Sequence, residues 1–175
     1  MRTRIFPVVD RNDNLRYTIV GKEGLHKNGR SHRKSSIIIE TFGGGVMIAK
    51  AGPTSAEKGL LTFPVITFNR SVESYAQAAI AAAEEQLGLK IDKNELNSIV
   101  NCKPCNDTNN DFVHLFSYLI DPEEESIDID NNSIEELRIV NRKILETDMS
   151  ERKDAYSKTF TLLFNMFITL VKKEN

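Results

Sequence analysis

The chain has 175 residues and a mass of 19.8 kDa, the length of one globular domain spanning residues 1–175. With 40% hydrophobic and 27% charged residues, its composition excludes wholesale disorder. The net charge of -2, from 23 basic against 25 acidic residues, excludes a global attraction to nucleic-acid polymers and leaves any phosphate site to be local. Two cysteines exclude a disulfide scaffold and fit a reducing compartment.

The N-terminus, Met1-Arg2-Thr3-Arg4-Ile5-Phe6-Pro7, is basic but lacks the apolar run of a signal peptide. The most apolar stretch, Phe160 to Val171, is too short to span a bilayer and is interrupted by Thr161, Asn165 and Thr169. A soluble, cytoplasmic domain with no membrane partner is expected.

Ile5–Val9 and Leu15–Val20 flank the polar cluster Asp10–Asn14, which predicts a hairpin. A basic loop follows, from Lys22 to Lys34. Ser36–Glu40 and Val46–Lys50 are short apolar runs separated by Gly43-Gly44-Gly45, a second hairpin. Residues 51–60 read as a loop and Leu61–Phe68 as a strand, with Pro64 suited to an edge or a bulge. Apolar residues at Val72, Tyr75, Ala76, Ala79, Ile80, Ala83 and Leu87 predict a helix over 72–87, with Ser71 as N-cap and Gly88 as its stop. Strands at Ser98–Cys102 and Phe112–Ile120, one around Leu137–Val140, a short helix, and a final helix over 156–172 complete the pattern.

Helix 72–87 and its flanks resemble the Nudix family, whose box reads G-x5-E-x7-R-E-U-x-E-E-x-G-U with U a bulky aliphatic residue. Glu73, Glu85, Gly88 and Leu89 match the box. Thr67 stands for its Gly, Ala81-Ala82 for its Arg-Glu, Ala83 for its first aliphatic residue and Gln86 for its last Glu. Upstream, His26-Lys27-Asn28-Gly29-Arg30-Ser31-His32-Arg33 is similar to the H-x2-G-x2-H-R segment of the isopentenyl diphosphate isomerase-like branch. The resemblance implies a Nudix-type α/β/α sandwich with a mixed central sheet, here extended by the N-terminal hairpin.

Residues 82, 85 and 86 stand at i, i+3 and i+4, so three carboxylates there would share one helix face and collect Mg²⁺. This chain offers Ala82, Glu85 and Gln86, a weak set for a divalent cation. With Ala81 in the arginine position, Glu85 and Glu73 are also expected to lack a charge partner. Isomerase chemistry is not expected, because Leu61–Phe68 contains no Cys and Phe68 replaces the His that often follows the box Gly.

Three functions follow. The leading one is a Nudix-like domain with a degraded metal site, binding a nucleoside diphosphate-linked or other phosphorylated ligand through His32, Arg33, Arg30 and Lys27, with no resident metal. The second is an active hydrolase using Mg²⁺ or Mn²⁺, with Glu85 and Glu73 as catalytic groups and Gln86 and Glu136 as weak further ligands. The third is an interaction domain with a vestigial cleft. The excess of apolar residues on the last helix, among them Leu162 and Met166, allows a homodimer contact there. Cys102-Lys103-Pro104-Cys105 has redox spacing but enters an Asn-rich loop, and reads most simply as two ordinary thiols. Glu123–Glu125 read as an exposed acidic loop.

Overall fold

Period-two alternation along the apolar strands decides the architecture. In the computed structural model, which describes residues 4–22, 25–70 and 73–174, Arg33–Thr41 forms a nine-residue strand, β3. Within it Ile37 and Ile39 face one apolar cluster and Ile38 the other, so both faces of the sheet must be covered. Gly45–Ala51 (β4) repeats the pattern, with Met47 and Ala49 on one side and Val46 and Ile48 on the other.

Among the described residues the sheet has seven strands. β3 pairs in parallel with β8 (Phe112–Ile120) along its whole length, from Arg33↔Phe112 to Thr41↔Ile120. On the other edge its first half pairs with β6 (Val65–Phe68) and its second half with β4, both antiparallel. Beyond β4 lie β5 (Leu61–Thr62) and β9 (Ile134–Asn141), and beyond β8 lies β7 (Asn97–Cys102). The expected single strand over 61–68 is therefore two. Residues 63 and 64 carry the chain from the edge of β4 to the edge of β3, a step that Pro64, with no N–H to donate, does not oppose.

Helix α1 (Tyr75–Leu87) covers the face of Ile37, Ile39, Val65 and Phe116. Its buried side is almost all alanine (Ala78, Ala79, Ala82 and Ala83), which lets the helix lie close on the sheet. The helix is capped by Ser74, whose Oγ accepts from Gln77 N while Gln77 Oε1 accepts from Ser74 N. Ser71 and Val72, expected at the start, lie outside the described residues. At the other end Gly88 adopts φ 68°, where a Cβ would be strained.

The opposite face is covered by α2 (Arg142–Glu151) and α3 (Lys158–Glu174). α3 begins two residues later than its apolar stripe suggests: Tyr156 is extended beforehand, pairs with Leu61 and donates its hydroxyl to Asp148. Phe63, Phe160, Phe164 and Phe167 are large, fully buried side chains of this face, with Phe63 and Phe160 centroids 4.7 Å apart. Leu162 and Met166, partly buried, pack on the same cluster. No described helix is long and apolar enough to cross a membrane.

The expected N-terminal hairpin forms as a separate two-stranded sheet, β1 (Ile5–Val9) and β2 (Leu15–Val20). β1 is held through Val9 N donating to Ser31 O at 3.0 Å and through buried Phe6, whose ring meets Phe68 edge-on. Phe160 is fully enclosed and stacked, so Phe160→Ala is expected to lower unfolding free energy by about 3–5 kcal/mol in urea denaturation.

Candidate functional site

The two acidic residues aligned with the box, Glu73 ahead of α1 and Glu85 in its last turn, meet the same cation. That cation is Arg70, which the sequence reading did not single out. Its Nη2 donates to Glu85 Oε1 at 2.7 Å, its Nη1 lies 3.9 Å from Glu73 Oε1, and its backbone N–H donates to Glu73 Oε2 at 2.9 Å. The expectation that Glu73 and Glu85 lack a cation is thus corrected: the charge comes from the loop before the helix. The i, i+3 spacing of Arg70 and Glu73 is the one sequence signal that pointed to it. Bonding to Glu85 raises the guanidinium pKa still further, so this cation does not titrate.

Gln86 is turned to the sheet. Its Nε2 donates to Ile66 O at 3.1 Å and its Oε1 accepts from Ile66 N at 3.4 Å, fastening α1 to β6. Ala82 is buried under the helix while Glu85 is exposed, so the face expected to be shared by residues 82, 85 and 86 is divided between core and solvent. Glu136 lies on β9 and forms a bidentate pair with Arg138, 2.6 Å at both contacts, which lowers the Glu136 pKa. Among the described residues no three His, Cys, Asp or Glu side chains converge as a metal-holding group.

The basic loop is divided by its partners. His32 is fully buried: its Nδ1 donates to Pro7 O at 2.8 Å and its backbone N–H to Asp111 Oδ1 at 2.9 Å. Lys34 Nζ is 2.9 Å from Asp111 Oδ2 and 4.6 Å from the centroid of the Phe68 ring, so the buried carboxylate is paired with a largely covered cation beneath an aromatic. His26 edges onto His32 and Phe68. Of these, His32, expected at a ligand, joins the hairpin to the sheet through Pro7. Arg33 donates from Nε to Asp13 Oδ1 at 2.6 Å and from Nη2 to Asp13 O, which fixes the hairpin turn against the start of β3. Lys27 is exposed in a short 3-10 turn, Lys27–Gly29. Arg30 lies over the Tyr17 ring, 5.6 Å from its centroid.

Asp13, in the left-handed region at φ 65°, also accepts from the Tyr75 hydroxyl at 2.9 Å. Tyr75 packs on His114, which stacks on Phe116 and lies 2.8 Å from Ser98 Oγ. Burial, followed by the Asp13 carboxylate, pushes the Tyr75 hydroxyl pKa far up, so it stays a donor. Cys102 is buried, which together with neighbouring Cys105 raises its thiol to about 11. It is thus a poor nucleophile.

No family model and no curated protein matches this sequence. Solved structures do. DR0079 from Deinococcus radiodurans superposes with a TM-score of 0.80 at 17% identity, covering 93% of this chain and 98% of that one. The Nudix domain of Shewanella oneidensis NrtR, complexed with ADP ribose, gives 0.60 at 10% identity over 81% and 88% of the two chains. RenU, a Nudix hydrolase from M. smegmatis, gives 0.59 at 16% identity over 95% and 94%. The fold is that of the Nudix hydrolases.

Two measurements check this geometry. Gln86→Glu places a second carbonyl-like acceptor against Ile66 O, and is expected to cost about 1–3 kcal/mol in urea denaturation. Burial lowers the pKa of both His32 and His114 in the folded chain. The unfolded chain takes up these protons near pH 6.5, so their contribution to stability is complete above that pH and falls as pH drops through it. The urea midpoint is expected to fall between about pH 7.5 and 5, and to fall less in His114→Gln.

Proposed function

We propose that this chain is a Nudix-fold domain with a degraded metal site, which binds a nucleoside diphosphate-linked or other phosphorylated ligand without efficient hydrolysis. The observation that carries this reading is the pairing at α1. Glu73 and Glu85 hold Arg70, Gln86 holds Ile66, and Ala82 is packed in the core. A hard divalent cation needs several oxygen ligands at about 2.0–2.6 Å with uncompensated charge. The residues present do not fit such a site, because the two carboxylates already have a guanidinium between them and the third donor is an amide turned away.

Binding a phosphorylated ligand is supported by the fold shared with the NrtR domain, which was crystallised with ADP ribose. The isomerase-like segment 26–33 fits this reading as architecture. Its His32 ties β1 to the sheet, and neighbouring Lys34 neutralises Asp111. The test is phosphate release with Mg²⁺ and with Mn²⁺ over nucleoside triphosphates, dinucleotides, sugar nucleotides and isoprenyl diphosphates, with a coupled phosphatase. Release no greater than that of Glu85→Ala is expected. Turnover that disappears in Glu85→Ala would make Glu85 a working ligand and overturn the proposal.

A further inference from the structure

An open groove of about 940 Å³ runs between the N-terminal hairpin, the turn at 29–31 and the connection from β7 to β8. Four cations from three separate parts of the sequence line it: Arg11, Arg16, Arg30 and Lys103. None of the acidic residues at α1 does. We propose that this groove, rather than the carboxylates at α1, is where the phosphorylated ligand docks, with Arg11, Arg16 and Lys103 gripping a diphosphate. The proposal rests on the reading that the chain binds such a ligand, and assigns that ligand a place.

Charge pairing separates Arg11, Arg16 and Lys103 from their neighbours. Arg33, Lys34 and Arg70 each have a carboxylate partner. Among the described residues no carboxylate forms an ion pair with Arg11, Arg16 or Lys103, and Arg30 lies over Tyr17. The acidic residue in the lining, Asp10, is turned into its own loop, where Oδ1 accepts from Asn12 N at 2.8 Å and Asn14 N at 3.0 Å. Like charges left facing one open space repel each other, and a dianion relieves that repulsion while accepting charge-assisted hydrogen bonds.

The walls are fixed before a ligand arrives. Val9 N donates to Ser31 O, and Asn110 Nδ2 donates to Gly29 O at 2.9 Å, tying hairpin, turn and β7–β8 connection together. The volume lies within the roughly 300–1,000 Å³ of small-molecule sites. Tyr17, about half exposed in the lining, offers a ring and a hydroxyl to the remainder of the ligand.

The experiment is calorimetric titration of the full chain at low salt with ADP-ribose, ADP and inorganic pyrophosphate. Proteins compared are the wild type, the double variant Arg11→Ala/Arg16→Ala, Lys103→Glu, and Lys143→Ala as an exposed control on α2. All four substituted residues are exposed, and thermal melts check that each variant folds. Expected is binding that weakens as salt rises, at least about tenfold weaker in the double variant and in Lys103→Glu, and unchanged in Lys143→Ala. Binding that survives in both groove variants overturns the groove while leaving the phosphorylated-ligand reading intact. No binding of any probe by the wild type overturns both. Tighter binding of a single-stranded oligonucleotide, lost in the same variants, overturns the small-ligand assignment.

Discussion

Asp111 has no exposed surface, yet it carries a carboxylate at the point where the hairpin, β3 and β8 meet. Its Oδ1 accepts the backbone N–H of His32, and Lys34 Nζ reaches its Oδ2. Phe112 N donates to His32 O immediately alongside, which begins the parallel ladder of β3 and β8. Removing one member of a buried pair leaves the other uncompensated, typically at about 3–5 kcal/mol. The start of the central ladder, the seating of β1 through His32 and Pro7, and the inward turn of Lys34 therefore depend on this one carboxylate.

The same pairing logic explains where the chain's positive charge is available. Lys34 is held by buried Asp111, Arg33 by Asp13 at the hairpin turn, and Arg70 by Glu73 and Glu85. Each of these cations has a structural task, and each joins an element to its neighbour across a long sequence separation. Arg11, Arg16 and Lys103, for which no ion pair forms among the described residues, face one open groove. Which basic residues are tied into the architecture follows from which carboxylate each side chain can reach.

The order of strands and helices was legible because period-two and period-3.6 patterns are local. The β3–β4 turn at Gly43-Gly44, with φ of 98° and 82°, and the stop at Gly88 were legible for the same reason. Other features were not. Pro64 marked an irregularity, but its place at a switch between two sheet edges depends on strands far away in sequence. Ser74 and Gln77 form the described helix cap, a capping pair three residues inside the expected start. The site was less legible still. Arg70 does not match the box, and its partner Glu85 lies 15 residues away across the turn into α1.

By itself, the sequence determined the element order, the two-faced sheet and the alanine-rich helix, since each is written in neighbouring residues. Only the tertiary structure decided what every charged side chain does. His32 and Arg33 read as ligand contacts in a basic loop, and burial and Asp13 made them joints of the fold. Gln86 read as a weak ligand, and the backbone of Ile66 took both ends of its amide. Charge and hydrogen bonding act over a few ångströms in space. The partner that settles a side chain's role is therefore set by packing and not by distance along the chain.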